Sequence, residues 1–159
     1  MQIRAAITSD ASAIVEIWNE VIGKTALTFT SEPKTVEGIS ADITARGEAF
    51  LVAEGDDMIL GFATYFPFRG GNGYRHTKEH TISLRSAAQG QGVGRALMVR
   101  LEDVARQQNV HSLFAGVSGE NPDGIAFHAA IGYREIARLP EVGRKFGRWM
   151  DLILMQKIL

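Results

Sequence analysis

Residues 86–98 read SAAQGQGVGRALM, with glycine at 90, 92 and 94 and a helix-forming run behind them. Glycine is a poor residue with which to nucleate a helix, because its backbone has the most freedom to lose. Three of them at a helix start imply that something there needs bare backbone. Upstream, 77–85 (TKEHTISLR) reads as a strand. Downstream, Leu97, Met98, Leu101, Val104 and Ala105 fall on one helical face. Strand, glycine turn and helix start together leave unpaired N–H groups in the positive field of a helix N-terminus, the physical recipe for a phosphate site.

Spacing discriminates among phosphate loops. A P-loop needs Lys-Ser/Thr after its second glycine, whereas Gly94 is followed by Arg95-Ala96. A dinucleotide fingerprint needs G-x-G-x-x-G/A, but its last position falls on Arg95 counted from Gly90 and on Leu97 counted from Gly92. Gln/Arg-x-x-Gly-x-Gly/Ala does fit, through Gln89, Gly92 and Gly94. The plainer alternative is a glycine turn that only packs a helix tightly on a sheet.

The remaining elements follow from periodicity. A short strand over 2–7 leads through Thr8, Ser9 and Asp10, which offer N-cap chemistry, into an apolar stripe at Ile14, Ile17, Trp18, Val21 and Ile22, with Gly23 as the stop. Residues 24–34 are irregular and 35–46 form a weaker helix. Strands at 49–54 and 58–66 flank a GDD hairpin turn, and 67–74 form a loop. A strand at 111–118, a short helix at 121–132 with Pro122 near its start, and two closing strands, YREIARL and RWMDLILMQKI, complete the chain. The order is β-α-α-β-β-β-α-β-α-β-β, a single mixed α/β domain over 1–159.

Composition bounds the function. With 159 residues, 45% hydrophobic and 22% charged, the chain reads as an ordinary globular protein. Its 17 basic and 18 acidic residues nearly cancel, which argues against a nucleic-acid-binding surface. Cysteine is absent, so disulfides, thiolate nucleophiles and cysteine metal sites are excluded together. No apolar run approaches the ~20 residues of a membrane span, and the first ten residues are too polar for a signal peptide; the expected location is the cytoplasm. The four histidines, His76, His80, His111 and His128, show no zinc spacing, and no metal is expected.

The Gln89-x-x-Gly92-x-Gly94 pattern resembles the acyl-coenzyme A signature of the GNAT N-acetyltransferases. That resemblance implies a GNAT fold, with a mixed, mostly antiparallel central sheet flanked by helices. It also implies acetyl-CoA as co-substrate, its pyrophosphate on the loop formed by Gln89, Gly90, Gln91, Gly92, Val93, Gly94 and Arg95. The backbone of Ile82, Ser83 and Leu84 would run beside the pantetheine arm. Asn121, after the 111–118 strand, resembles the asparagine that bonds that arm. His128 stands where the family commonly has a tyrosine that protonates the departing thiolate. Histidine can donate a proton, but a structural helix histidine or a cofactor contact fits the position equally well.

Two further stretches, 74–84 (YRHTKEHTISL) and 141–156 (EVGRKFGRWMDLILMQ), resemble the phosphinothricin and methionine sulfoximine acetyltransferases. Tyr74, Arg75, Thr77 and Glu79 match the first motif, with Lys78 where valine is usual. Val142, Gly143, Lys145, Phe146, Gly147, Arg148, Trp149, Asp151 and Leu152 match the second. The resemblance implies a small amino-acid analogue as acceptor and a homodimer.

Acetylating an amine requires its ammonium to lose a proton, and Glu79 on a central strand is the candidate base. The bland reading is a glutamate paired with a lysine. His76 and His80 are rival bases, and alternation sends His80 to the face opposite Glu79. An amino-acid acceptor also brings a carboxylate, which Arg75 can hold bidentately. Asn72, His76, Thr77 and Lys145 are weaker acceptor contacts, and Phe29 and Phe68 are candidate pocket walls. Trp18 reads as core, and Arg148 and Trp149 as dimer packing. With no cysteine to carry the acetyl group, direct attack by the amine is expected.

Overall fold

The computed structural model describes residues 1–159 in full. Seven strands, β1 (Gln2–Ala5), β2 (Phe50–Gly55), β3 (Met58–Pro67), β4 (Thr77–Leu84), β5 (Ser112–Ser118), β6 (Arg134–Lys145) and β7 (Arg148–Ile158), form one sheet in the order β1-β2-β3-β4-β5-β7-β6. The β4–β5 pair is parallel and every other pair is antiparallel. Four helices flank it: α1 (Ala11–Lys24), α2 (Val36–Arg46), α3 (Val93–Gln107) and α4 (Pro122–Ala130).

Alternation along the strands divides the core. Phe50, Val52 and Phe62 face α1 and α2, where Ile14, Ile17, Ile39 and Ile43 meet them. Leu51, Ala53, Ala63 and Tyr65 point the other way and pack with Leu97, Met98, Leu101 and Val104 of α3. Continued across the β3–β4 register, in which Phe66 pairs with Glu79 and Tyr65 with His80, this sends Glu79 to the α1–α2 face and His80 to the α3–α4 face. The expected opposition of these neighbours is what the register gives.

Local chemistry accounts for the element ends. Asp56 (φ 51°) and Asp57 (φ 59°) form the β2–β3 turn with both central residues left-handed, the geometry that suits the twist of a hairpin. The Thr35 hydroxyl accepts from the Gly38 N–H at 3.1 Å and caps α2. Two expectations shift. Helix α1 runs one residue past Gly23, ending where Thr25 turns to extended backbone. Strand β6 does not stop near Leu139 but continues to Lys145 through a bulge, where the register with β7 slips between Leu139 and Gly143 and Glu141 takes φ 55°. Pro140 sits in this irregular stretch, and a bulge on an edge strand is where a sheet tolerates proline.

Strand β3 lies tightly against β4 at Gly61, where a methyl group would fall 2.3 Å from Leu84 Cδ2 and 2.7 Å from the Ser83 carbonyl. Backbone cannot give way cheaply. Gly61→Ala is therefore expected to lower stability by about 1–3 kcal/mol, measured by urea denaturation; an unchanged midpoint would show that β4 can shift.

Candidate active site

Strands β4 and β5 pair only over Thr77–His80 and Ser112–Ala115. Beyond that point β4 stays with β3 as far as Leu84, and β5 stays with β7 as far as Ser118. The strands part, and a cleft of about 780 Å³ opens along Thr81–Leu84 on one side and Gly116 and Val117 on the other. Its far end is the glycine loop. Gly90 (φ 72°) and Gly92 (φ 80°) are left-handed, and a methyl group on either would meet nothing within 4 Å. The backbone N–H groups from Gly90 to Arg95 donate to no other group of the protein, and those of Val93, Gly94 and Arg95 open helix α3. Bare, convergent donors at a helix N-terminus fit a pyrophosphate. Gly94 has a different reason: a methyl there would lie 3.3 Å from the Phe127 ring, so this glycine lets α4 close on α3. The cradle and the packing turn both exist, on different glycines.

Gln89, Gly90, Gly92, Gly94 and Arg95 line the cleft, as do Ile82, Ser83, Leu84 and Asn121. Gln91 folds back, its Nε2 donating to the Ala87 carbonyl at 2.7 Å, and the Val93 side chain is core, so these two offer backbone only. Asn121 caps α4 by accepting from the Gly124 N–H at 2.8 Å, which leaves its amide nitrogen for the cleft.

His128 also lines the cleft, and its ring is held at both ends. Nδ1 lies 2.7 Å from the Gly124 carbonyl, so Nδ1 carries the proton; Nε2, 3.0 Å from Nε2 of His80, is then the acceptor. Burial pushes the proton affinity of both rings down, and for His80 the neighbouring His128 charge adds to it. The neutral pair directs no N–H into the cleft. In this arrangement the Nδ1 proton of His128 is held by the first turn of α4, and its Nε2 meets His80. His80, set aside as facing away from Glu79, does face away, yet it borders the cleft and a smaller cavity next to it.

That smaller cavity, of about 160 Å³, lies on the α1–α2 face and is lined by Phe29, Phe66, Glu79, Gly116 and Leu152 among others. Glu79 makes no ion pair, so the reading of a lysine-paired glutamate falls away. Burial raises its carboxyl above the usual range, as a base working near neutral pH requires. A methyl at Gly116 would lie 2.8 Å from Glu79 Oε1, so the missing side chain at 116 makes room for this carboxylate. An isolated glycine inside a strand signals such close approach, and Gly116 could have been read from HSLFAGVS.

The other expected acceptor contacts gather elsewhere. Asn72, Arg75 and His76 are exposed at the start of β4, and Arg75 Nε donates to His76 Nε2 at 3.0 Å while His76 Nδ1 donates to the Asn109 carbonyl at 2.7 Å. Thr77 shares the Glu79 face but lines neither cavity. Phe68 stacks on Phe114 at 4.5 Å and is no wall of the cavity. Lys145 is buried, donates to the Thr25 and Thr28 carbonyls at 2.7 and 2.9 Å, and lines neither cavity. Trp18 packs on Phe62 at 4.8 Å as core, and also borders the coenzyme-sized cleft.

Comparison with known proteins agrees with this geometry. The family described as acetyltransferase (GNAT) domain matches residues 3–154. A Salmonella typhimurium L-methionine sulfoximine/L-methionine sulfone acetyltransferase is 37% identical over 98% of this chain and 93% of its own length. A Brucella melitensis structure described as ribosomal-protein-alanine N-acetyltransferase superposes with TM-score 0.95 at 38% identity over 100% of both chains. A Sinorhizobium meliloti phosphinothricin acetyltransferase, solved in complex with acetyl-CoA, superposes with TM-score 0.93 at 27% identity over 99% of this chain and 88% of that one.

The buried histidines make stability depend on pH with a definite sign. Their folded proton affinity lies below the unfolded value of 6.5, so the unfolded chain binds more protons below that pH. Stability is expected to be full above about pH 6.5 and to fall on acidification, by up to about 1.4 kcal/mol per pH unit for each histidine. Glu79, whose carboxyl is raised, acts in the opposite sense: its contribution is present at low pH and lost as pH rises through its folded value. Urea melts between pH 7 and pH 5 should show a shallower fall for His80→Gln than for the parent; equal slopes would mean that the pair is solvated.

Proposed function

This chain belongs to the GNAT acetyltransferase family, and we propose that it moves the acetyl group of acetyl-CoA to the α-amine of a small amino-acid analogue of the methionine sulfoximine, methionine sulfone or phosphinothricin kind. It is an acetyl-CoA-dependent N-acetyltransferase. The observation that carries the proposal is the Glu79 carboxylate, unpaired and raised by burial, facing a small cavity that abuts the long cleft at Thr81 and Gly116.

In this reading acetyl-CoA, when bound, supplies the acetyl group as an activated thioester. The amides of Gly90–Arg95 hold its pyrophosphate. Asn121 and the free edge of Ile82–Leu84 align the arm, so that the thioester end reaches the place where β4 and β5 part. Glu79 takes a proton from the acceptor ammonium, directly or through water, and holds it on a carboxylate oxygen. The amine so freed attacks the thioester carbonyl directly, which the absence of cysteine favours: the C–N bond forms, the C–S bond breaks, and coenzyme A leaves as a thiolate that takes its proton from water. His80 and His128 hold α4, and with it Asn121, against the cleft.

The acceptor is small because the cavity is small, about 160 Å³. The name of the Brucella structure raises a second reading, the N-terminal alanine of a protein. A polypeptide acceptor would need an extended groove leading away from Glu79, more than the small cavity lined by Phe29, Phe66 and Leu152. As to assembly, Ile136, Val142, Phe146 and Trp149 are exposed along the β6–β7 hairpin, and a second copy of this chain is the proposed cover.

Free-thiol release from acetyl-CoA is the direct test, with methionine sulfoximine, methionine sulfone, phosphinothricin and an alanine-terminated peptide as acceptors. Glu79→Gln is expected to lower kcat by about 10²–10⁴-fold and to remove the limb of the pH profile that rises as the carboxyl ionises, with acetyl-CoA affinity unchanged. An unaltered profile would remove Glu79 as the base, and turnover of the peptide alone would replace the acceptor.

A further inference from the structure

The loop between α1 and α2 supplies Leu27, Thr28 and Phe29 to the small cavity. It has little of its own to hold it there. Across 25–31 the backbone makes no ladder bond to the sheet. The hydrogen bonds within the loop are local: the Leu27 N–H donates to Thr25 Oγ1 at 3.2 Å, and that hydroxyl donates back to the Val21 carbonyl at 2.7 Å. Across 25–31 the rest of the chain gives this loop two hydrogen bonds, both from the Lys145 ammonium on β6, to the carbonyls of Thr25 and Thr28, while its far end is held by Asn19 of α1, which donates to the Lys34 carbonyl at 3.0 Å and accepts from the Lys34 N–H at 2.7 Å.

Lys145 is only 5% exposed and has no carboxylate within ion-pair reach. Carbonyl dipoles and the Phe146 ring, 5.2 Å from Nζ, surround the charge. Hydrogen bonds from an ion are the stronger kind, and a buried ammonium that lost them would be left unpaired. Two residues earlier on the same face of β6, Gly143 seats Phe29: a methyl there would lie 2.4–2.6 Å from three atoms of that ring. Both contacts depend on the β6 bulge, which Asp151 fixes by accepting from the Glu141 N–H at 3.0 Å and from Arg138 at 2.8 Å.

We propose that Lys145 is a positioning residue for the acceptor: with Gly143 it clamps the 25–30 loop to the edge strand, and this clamp sets the fit of the cavity beside Glu79. The proposal rests on the reading of that cavity as the acceptor pocket. It assigns the matched lysine a role different from carboxylate recognition, because the ammonium already serves two backbone carbonyls.

The test compares Lys145→Met, Lys145→Arg and Gly143→Ala with the parent in the full chain. Amide hydrogen exchange over 25–30 should quicken by about tenfold or more in Lys145→Met, with α3 unchanged, and Lys145→Arg should recover part of the protection. With methionine sulfone and its α-carboxamide as probes, KM should rise about tenfold for both in Lys145→Met, with kcat and acetyl-CoA affinity within about threefold of the parent. Gly143→Ala, with the lysine intact, should raise KM in the same way. Unchanged exchange at 25–30 overturns the clamp. So does a KM rise for the acid but not for the amide, which would mean direct carboxylate binding, and so does an equal loosening of α3, which would mean general destabilisation. If no probe is acetylated, the assignment of the acceptor fails, while the exchange measurement still decides the clamp.

Discussion

Two parallel strands that begin a ladder and then abandon it are the constraint on which the site depends. β4 and β5 are paired from Thr77 to His80 and from Ser112 to Ala115, and then diverge, each held by its outer neighbour. Divergence leaves one edge of Thr81–Leu84 and one edge of Gly116–Ser118 without ladder partners in the middle of a sheet, where backbone groups ordinarily find partners. A ligand that presents its own donors and acceptors between the strands restores what the sheet gave up. The long cleft is therefore a place where the fold is incomplete without a polar, extended molecule.

The same split explains why consecutive residues serve different chemistry. Glu79 and His80 lie at the last paired positions, and alternation turns one to each face. On the α1–α2 face, burial without a counter-charge keeps the Glu79 carboxylate proton-hungry. On the α3–α4 face, burial favours neutral His80 and His128, with the His80 proton on His128 and the His128 proton on the Gly124 carbonyl. The group with raised proton affinity thus faces the small cavity, and the mutually bonded pair borders the large one.

The donor half was legible in the sequence because it is made of backbone. Glycine spacing, a helix start and a strand end are local signals, and Gln89, Gly92 and Gly94 carried them. Even so, spacing could not show that Gly94 serves packing against Phe127 while Gly90 and Gly92 serve the cradle. The acceptor half was less legible because it is made by contacts far apart in the chain. Lys145 meets Thr25 and Thr28 across 120 and 117 positions, and no local pattern records that. Arg75 and Asn72, read as acceptor contacts, lie exposed around the turn that precedes β4. His128 read as an acid, a helix histidine or a cofactor contact, and its partner His80, 48 positions away, was not legible in any local pattern.

That division bears on why relatives of one architecture carry different acceptor names. The cradle offers main-chain N–H groups, which most side-chain substitutions leave in place, so coenzyme binding survives extensive divergence. The acceptor cavity offers the side chains of Phe29, Phe66 and Leu152 around one carboxylate. One of its walls, the α1–α2 connection, is bonded from β6, an edge strand with little of its surface buried. An edge strand can change sequence, bulge or register at small cost to the core. A cavity wall held by such a strand can change shape while the open sheet and the glycine turn keep their packing.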